Sequence, residues 1–476
     1  MEHRSGSNKV LLIRMGSPIL KKSGGHVRHF SPPFALKYIE SLLQGSFQVK
    51  LIDCLVVAHP LKKLLSLFND YRPEVVIFCS SIHTEKATKR FANFVKNKYK
   101  SFLIAIGQGP TSEPSAYNFP GSPFDAVVTG EAEEEVCRLV EKLKRGVAPE
   151  EIRKIYQDKL SNSCINLIAD LDALPFPTYS LSEIKAYRFF YPIALAKRLK
   201  WGHILSSRGC TRECLYCSQV TRESYGDTVR LRSPANVVDE IEKLMSKGVN
   251  IVSFDDDNFT TSREHVKGVC NEILQRGLEI KWIVHARIDE LDFPKLVMMK
   301  NAGCVLLRLG VESGSRRIIE ILGKSRQDLD WIRISSSTFN YARKVGIATD
   351  ALFMIGNPTE TEEEVEETLK LAQMLEPDFI QVHFFTIYPG SAVYEHYKKE
   401  IARKELPKMY HYCMPRFNPS NIAINKLLSA RVHFYRSFFL RPKFLMNHFL
   451  KYGIFYFHNI DVGYRLSKIW KMLFYE

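Results

Sequence analysis

The sequence predicts an α/β protein: a doubly wound, Rossmann-like parallel sheet, then a partial TIM-type barrel of six βα units and a mainly helical C-terminal tail. Three observations predict this. Strand-like and helix-like segments alternate over residues 8–145 and again over 202–395, and the remainder is basic and rich in aromatics. With 476 residues, the chain is long enough for two or three domains. We expect boundaries at 1–150, a connector at 151–200, the barrel at 201–400 and the tail at 401–476.

Five apolar, β-rich runs form the predicted N-terminal sheet: Lys9–Met15, Gln48–Asp53, Val75–Ser80, Phe102–Ile106 and Ala126–Val128. Helix-like segments at about 35–44, 60–70, 84–98 and 131–145 separate them, which implies parallel strands covered on both faces. Ligands of such sheets bind beyond the carboxyl ends of the strands. The candidate residues in the loops there are Ser80, Ser81, Thr84, Gly107, Gly109, Gly130 and Glu131. The first two glycines are expected to let backbone approach a large ligand. No GxGxxG motif follows the first strand, so a dinucleotide site is not predicted.

Six further strands are predicted at His203–Ser206, Asn250–Phe254, Lys281–Ala286, Cys304–Gly310, Ala348–Ile355 and Phe379–Tyr388. Helices lie between them, for example at 234–247, 263–276, 327–345 and 361–375. Barrels of βα units place their chemistry on the loops after the strands. The loops after the first, second, fourth and fifth strands carry a cysteine cluster, the acidic run 255–258, and the segments 310–314 and 354–361.

The most informative stretch is Ser206–Gln219, which reads SSRGCTRECLYCSQ. Cys210, Cys214 and Cys217 are close enough to surround one metal centre, and thiolates suit iron–sulfur clusters or zinc. A structural zinc site closes its tetrahedron with a fourth protein ligand, whereas a reactive centre keeps one position open. Three thiols without an obvious fourth ligand favour a cluster with one free iron. The alternatives are a zinc site completed by His203, or reduced cysteines that merely lie together.

This CxxxCxxC pattern, with an aromatic residue before the third cysteine, resembles the cluster loop of the radical S-adenosylmethionine (SAM) superfamily. The motifs DDDNF, HARID, GVESGS and MIGNP extend the resemblance over the predicted barrel, with DDDNF in place of the usual GGE. The resemblance implies a 4Fe-4S cluster whose open iron chelates the methionine part of SAM. It also implies SAM contacts from Tyr216, Asp256, Asn258, Arg287, Glu312, Ser313 and Gly356.

By residue chemistry alone, Asp256 and Asn258 suit an ammonium or sulfonium, and Glu312 suits the hydroxyls of a ribose. The acidic run could instead be a helix cap or a divalent-metal site, and Glu312 could belong to a buried structural pair. Their order after consecutive strands favours the cofactor.

The N-terminal loops are similar to those of the cobalamin-binding domain found in one radical SAM subfamily. The matching pieces are Ser31–Pro33, PEVVIFCSS, GQGPTSEP and VTGEAE. The DxHxxG motif that supplies cobalt with a histidine elsewhere is absent, and Thr111 stands where relatives usually carry histidine. His26 and His29 lie in the first loop. The resemblance implies cobalamin as a cofactor; the alternative is a domain kept for its packing.

The tail carries most of the excess charge of the chain, which is +15 overall. From residue 401 onward, the sequence has thirteen Lys and Arg residues but three Asp and Glu residues, and aromatic residues lie between them. Packing of the aromatics on the barrel is the first interpretation, an anionic membrane surface the second and nucleic acid the third. Ten cysteines in so long a chain indicate no disulfide framework, so we expect a reducing, cytoplasmic location. We find no signal core and no apolar run that would span a bilayer.

These features predict a radical SAM enzyme that cleaves SAM to a 5′-deoxyadenosyl radical and, with cobalamin, methylates an unactivated carbon. Cyclisation or rearrangement in the same superfamily is the first alternative, and a zinc-stabilised RNA-binding protein is an alternative from another class. RNA methylthiolation is disfavoured because the N-terminal segment lacks a second three-cysteine set. Expected partners are a small-molecule or lipid-like substrate and an external one-electron reductant.

Overall fold

A computed structural model describes residues 8–16, 31–161, 165–187, 199–217, 228–325, 329–389, 391–403, 415 and 417–458. His26 and His29 lie outside the described residues, as does the end of the tail from residue 459.

The N-terminal sheet has five parallel strands in the order β2-β1-β3-β4-β5, which is a doubly wound arrangement. Its strands are β1 Lys9–Arg14, β2 Gln48–Asp53, β3 Val75–Cys79, β4 Phe102–Ile106 and β5 Ala126–Val127. The helices around it are α1 Phe34–Leu43, α2 Pro60–Asp70, α3 Glu85–Lys98, α4 Gln108–Ser112 and α5 Glu133–Lys144. One apolar cluster fills each face of the sheet, because the central strands are buried on both sides.

One helix extends this N-terminal body past the expected boundary at residue 150. Helix α6, Pro149–Ser161, contacts β5 and buries Ile152 and Tyr156 in the same cluster as α1. The connector therefore begins after this helix, and it includes the short helix α7, Leu181–Ala186.

The second sheet has six parallel strands that follow one another in chain order, apart from a short ribbon. They are β6 Trp201–Ile204, β9 Ile251–Phe254, β10 Lys281–Ala286, β11 Cys304–Glu312, β12 Ala348–Ile355 and β13 Phe379–Phe384. The helices between them are α8 Pro234–Met245, α9 Arg263–Gln275, α10 Phe293–Asn301, α11 Arg316–Ile321, α12 Trp331–Val345 and α13 Glu362–Leu375. Strands β6 and β13 are the two edges among the described strands, so the predicted partial barrel is confirmed.

A two-stranded antiparallel ribbon interrupts this order just after β6. It pairs β7, Ser207–Arg208, with β8, Arg230–Leu231. The three-cysteine segment begins directly after β7, so the ribbon forms the base from which that segment projects.

The C-terminal region has three described helices, of which the second covers the open edge of the barrel. They are α14 Ala392–Arg403, α15 Ile424–Phe439 and α16 Pro442–His458. Leu427, Phe434 and Phe438 join the barrel core, and the hydroxyl of Tyr435 accepts the amide N–H of Val382 on β13 at 2.9 Å. An edge strand with a satisfied amide and a covering helix is protected from pairing with other chains. The aromatic residues of α15 therefore serve packing, the first interpretation of the tail. No helix among the described residues is both long and apolar enough to cross a bilayer.

The carboxyl edges of the two sheets face each other. Ser31, in the loop after β1, donates a hydrogen bond to Asp255, which follows β9. His83, after β3, packs edge-on against Tyr388, after β13, with 6.1 Å between ring centroids. The loops that each sheet uses for ligands thus meet in one region.

Candidate functional site

Three thiols, called the cluster cysteines below, lie in one loop at the barrel mouth: Cys210, Cys214 and Cys217. Gly209 turns the chain into this loop with a φ of 95°, a left-handed conformation that favours glycine. The amide of Leu215 donates to the carbonyl of Leu322 at 2.9 Å, which anchors the loop to the end of α11. The loop is thus held at the carboxyl edge of the sheet, where barrel chemistry occurs.

The cluster cysteines form no disulfide with one another, and their surroundings suit a multinuclear cluster better than a single ion. Burial, followed by the charges of Cys214 and Asp257, raises the pKa of Cys217 to about 12, and burial also raises that of Cys210. Metal binding must therefore displace these protons. Among the residues described, no group of three or more His, Cys, Asp or Glu side chains is spaced to hold a metal ion. In a cubane cluster each cysteine binds a different iron, so the sulfurs need not converge on one point.

The zinc alternative required His203 as a fourth ligand. His203 is buried on β6, and its Nδ1 lies 2.9 Å from Oδ2 of Asp255. A metal-bound histidine commonly pairs its other ring nitrogen with a carboxylate, so this contact does not separate the two interpretations. The spacing of the described ligand groups favours the iron–sulfur interpretation.

Arg287 connects the cluster loop to the loops around it. Its guanidinium donates to Sγ of Cys214 at 3.7 Å, to both oxygens of Asp289 at 2.9 and 3.1 Å, and to the carbonyl of Lys324 at 2.6 Å. A planar fork can satisfy these partners together, whereas an ammonium cannot. Arg287 therefore touches a cluster cysteine directly, and its SAM contact stays a prediction.

Asp256 and Asp257, two neighbours in the acidic run after β9, have different environments. Oδ1 of Asp256 accepts from the hydroxyls of Ser206 and Ser207 at 3.0 and 2.5 Å. Its Oδ2 is buried without a hydrogen-bond partner among the described residues, and burial raises the pKa of this carboxyl to about 6. Asp257 is exposed on the side of the cluster loop. The run thus places one orphaned oxygen and one accessible carboxylate beside the cluster cysteines.

Asn258 has a different environment from the one predicted. Its amide nitrogen donates to Glu290 at 2.8 Å, while its oxygen accepts the hydroxyl of Thr260 at 2.9 Å. Glu290 also binds Arg212 of the cluster loop at 2.8 Å. Asn258 therefore belongs to the frame that holds this loop.

Tyr216, Glu312 and Lys324 form a second cluster on the opposite side of the loop. The tyrosine hydroxyl donates to Oε1 of Glu312 at 2.8 Å, and Nζ of Lys324 donates to the same oxygen at 2.9 Å. Glu312 ends β11 at a bulge and has a φ of 68°, which is costly for a residue with a side chain. Such strain persists where the surroundings impose it, often at a binding site.

Two other predicted SAM contacts serve packing in this structure. Ser313 is fully buried, and its hydroxyl lies 3.1 Å from that of Thr368 on α13. Gly356 has a φ of 78° and donates its amide to Glu360 at 2.6 Å. A Cβ on Gly356 would stand 3.2 Å from Leu427 of α15, so the absence of a side chain there admits the C-terminal helix.

The N-terminal crevice lies where its sheet order predicts. In the order β2-β1-β3-β4-β5, the chain runs outward to one edge of the sheet from β1 and to the other edge from β3. The point between β1 and β3 is therefore the topological switch point, and ligands of such sheets bind there. Ser81, Gly107 and Gly130 are half-buried on the loops beside it. Residues 17–30 of the first loop fall outside the described residues, so the described part of the crevice is its β3 to β5 side.

The glycines of this crevice differ in physical role from the one predicted. A Cβ on Gly107 would meet the carbonyl of Ser80 at 2.9 Å, and one on Gly109 would meet Oη of Tyr117 at 2.4 Å. Close packing within the protein, not the approach of a ligand, requires glycine at these two positions. Gly109 is buried under Tyr117, and its contact with cobalamin stays a prediction.

The hydroxyl groups after β3 mostly bind one another. Oγ of Ser80 lies 2.7 Å from Oη of Tyr117, and Oγ1 of Thr84 accepts the amide of Ser81 at 2.9 Å. Ser80 and Thr84 are buried, which leaves Ser81 as the accessible donor of the three. Glu131 has a side chain with 0% exposure that pairs with Arg230, so its carboxylate faces the ribbon.

Four residues of this region were not among the predicted site residues: Arg212, Asp257, Glu290 and Lys324. A sequence signal existed for Asp257, because it lies inside the acidic run, and for Arg212, because it lies between two cysteines. Lys324 and Glu290 lie far from the cysteines in the sequence, and the folding of the chain brings them to the site.

Comparison with known proteins agrees with this geometry. Residues 204–372 match the family model of the radical SAM superfamily, from the last residue of β6 to most of α13. An uncharacterized methyltransferase of Pyrococcus horikoshii is 29% identical over 436 residues, covering 87% of this chain and 89% of the relative. An anaerobic magnesium-protoporphyrin IX monomethyl ester cyclase of Cereibacter sphaeroides is 26% identical, covering 89% of this chain and 69% of the relative.

Among solved structures, the fold is similar to that of TsrM from Kitasatospora setae, a radical SAM methyltransferase solved with cobalamin and a [4Fe-4S] cluster bound. The TM-score is 0.64 at 17% identity, covering 83% of this chain and 79% of that chain. The likeness spans both sheets and therefore supports the two-sheet arrangement as one architecture.

Proposed function

Because the chain belongs to the radical SAM superfamily, we propose that it is a cobalamin-dependent methyltransferase that acts on an unactivated carbon of a small molecule. One observation carries the proposal: the cluster loop and the N-terminal crevice lie on sheet edges that face each other. Two reactive groups held at one shared opening can act on one substrate in succession, because positioning replaces diffusional encounter.

When bound, the cluster would supply an electron that splits SAM, and cobalamin would supply the methyl group. The cluster cysteines would hold the iron, and Arg287 would hold Cys214 in place through its hydrogen bond. Asp256 and Asp257 would face the ammonium of SAM, since one has an orphaned oxygen and the other is accessible. Glu312, with Tyr216, would face the ribose.

On the crevice side, Ser81, Gly107 and Gly130 would line the described part of the cobalamin site. The protein would need an external one-electron reductant, because the cluster must receive an electron before it can pass one to SAM. A cytoplasmic location stays a prediction from the cysteine composition.

Cyclisation is the second candidate, and the similarity to the cyclase of Cereibacter sphaeroides supports it. That relative is less similar than the methyltransferase of Pyrococcus horikoshii and is covered over a smaller share of its length. The methyl-transfer proposal therefore has priority.

Peripheral contact with an anionic membrane is a further prediction for the tail. The outer face of α16 exposes four large apolar side chains: Leu445, Met446, Phe449 and Leu450. Binding to acidic vesicles should weaken sharply with salt, because salt screens surface attraction. Absence of binding at low salt, or binding that salt leaves unchanged, would reject the contact.

The test of the main proposal is product stoichiometry in an anaerobic reaction with a reductant, hydroxocobalamin and methyl-labelled SAM. Candidate substrates would be screened for incorporated label. Methyl transfer should consume two SAM molecules per turnover and release S-adenosylhomocysteine and 5′-deoxyadenosine in equal amounts. Release of 5′-deoxyadenosine without S-adenosylhomocysteine would reject methyl transfer and favour cyclisation or rearrangement. A variant with all cluster cysteines changed to alanine is the control for background cleavage.

A further inference from the structure

The ribbon that carries the cluster loop places two arginines directly opposite each other. Arg208 on β7 pairs in register with Arg230 on β8, and Arg208 is separated from the first cluster cysteine by Gly209 alone. Like charges at opposed positions of a strand pair are destabilising. The ribbon is only two residues long in each strand, so its own backbone bonds offer little to offset this repulsion.

The opposing charges come from the N-terminal body. Arg208 donates to Glu133 at 2.9 Å and lies 3.5 Å from Glu131. Arg230 holds both oxygens of Glu131 in a fork, at 2.5 and 2.8 Å. The side chains of Arg208, Glu131 and Glu133 are 4%, 0% and 4% exposed. In a buried set of this kind, loss of one partner leaves an uncompensated charge and is strongly destabilising.

The loop that carries these carboxylates belongs to the wall of the N-terminal crevice. Glu131 follows Gly130, whose amide donates to Oγ1 of Thr111 at 3.0 Å. Thr111 is in α4, the helix that begins directly after Gly107. On its other side the amide of Glu131 donates to the carbonyl of Asn166 at 2.9 Å. The short loop 129–133 is therefore anchored on both sides. Its Gly130 lies at the crevice, and the carboxylate of Glu131 contacts the ribbon.

We propose that Glu131 and Glu133 are positioning residues that couple the crevice to the cluster loop. They neutralise the facing arginines, so the ribbon is fully ordered only while the loop 129–133 holds its position. A ligand that fixes this loop from the crevice side orders the base of the cluster loop. By thermodynamic linkage, an assembled cluster must then tighten binding in the crevice by the same factor.

The identity of the crevice ligand rests on the proposed function, but the role of the carboxylates does not. Glu133→Gln tests the role, because the amide keeps the volume of the side chain and removes its charge. Glu240→Gln is the matched control. Glu240 pairs with Arg232 at 2.5 Å, with side chains 2% and 4% exposed. Arg232 is on the same chain segment as Arg230, but it donates its other hydrogen bonds to Asn236 and to the carbonyl of Leu205, both in the barrel.

The first measurement is the dissociation constant for hydroxocobalamin, in anaerobic protein with the cluster assembled and with iron removed. In the wild type, the assembled cluster should tighten binding at least about fivefold, the lower end of typical coupling. The ratio should fall to near one in Glu133→Gln and should persist in Glu240→Gln, although both variants lower the unfolding midpoint. An unchanged ratio in Glu133→Gln, or equal losses in both variants, would overturn the coupling.

The second measurement is hydrogen exchange in peptides that cover residues 206–210 and 228–232, without added ligand. Exchange should be faster in Glu133→Gln than in the wild type and Glu240→Gln, and equal rates would refute the positioning role. If the wild type does not bind hydroxocobalamin, the proposed function fails, and exchange alone still decides the role of the carboxylates. If Glu133→Gln does not fold, Arg208→Lys replaces it, since lysine keeps the charge but loses the fork.

Discussion

Asp256 provides a sharp test of the site because one of its oxygens is buried with no donor among the described residues. Burial raises the pKa of this carboxyl from an ordinary 3.8 to about 6. A raised folded-state pKa means that the folded protein prefers the protonated acid. Its contribution to stability is therefore fully present below about pH 4 and is lost as the pH rises through about 6.

The size of this loss follows from the shift. About two pKa units correspond to about 3 kcal/mol of folding free energy, as an order of magnitude. Asp256→Asn removes the charge and keeps acceptors for Ser206 and Ser207 within reach. At neutral pH the iron-free variant should therefore be more stable than the wild type by up to about 3 kcal/mol, and the two should converge near pH 4.

The assay is urea unfolding of both proteins, without iron or SAM, at several pH values between 4 and 8. Asp255→Asn is a control of opposite sign. Against the effect of burial, the charge and hydrogen bond of His203 lower the pKa of Asp255, so its contribution is present above about pH 4 and lost on acidification. Equal pH slopes for the wild type and Asp256→Asn would refute the reasoning.

A ligand cation beside Asp256 would reverse the preference for the protonated acid. SAM affinity in the wild type should then rise as the pH passes 6, and Asp256→Asn should bind SAM more weakly with no such rise. Calorimetric titration would measure both. A pH-independent affinity in the wild type would separate this carboxylate from the SAM ammonium.

Three further outcomes follow from the contacts described. Changing all cluster cysteines to alanine should abolish iron binding and SAM cleavage, while circular dichroism shows both sheets intact. The control Cys137→Ala should keep iron binding and SAM cleavage. Full iron content in the variant without cluster cysteines would contradict the assignment. Arg287→Lys should release iron to a chelator about tenfold faster, because a charge-assisted hydrogen bond is lost; an unchanged release rate would refute its contact with the cluster loop. Tyr435→Phe should cost about 1–3 kcal/mol in urea unfolding, since the amide of Val382 loses its buried acceptor. Tyr341→Phe is the control, and equal costs would deny this role.

The strands could be predicted closely from sequence, because a buried parallel strand is a continuous apolar run with polar or turn residues at its ends. Phe102–Ile106, Lys281–Ala286 and Ala348–Ile355 begin and end at the predicted residues, as does the edge strand Gln48–Asp53 with its alternating pattern. Helix α6 was not predicted as part of the N-terminal body. Its apolar face becomes informative only once β5 provides a surface for it.

The site was less predictable, because contacts between distant residues decide what a side chain can do. The amide of Asn258 satisfies Glu290, more than thirty residues later, and no local pattern shows this. Gly109 reads as a ligand-facing glycine until Tyr117 is placed above it. Lys324 reaches Tyr216 from 108 residues away along the chain. The cysteines were identifiable because their ligand geometry is local.

The covering of β13 by α15 has a consequence for biosynthesis. The strands of the second sheet are added in the order in which they leave the ribosome, so each can pair with its predecessor as it emerges. Among the described residues, the outer side of the last strand is covered by α15, which is complete only when residues 424–439 have also emerged. During that interval the nascent chain presents an unpaired edge, which is a known route to misassembly. A polypeptide that stops near residue 400 should therefore accumulate in inclusion bodies even though it contains every cluster cysteine.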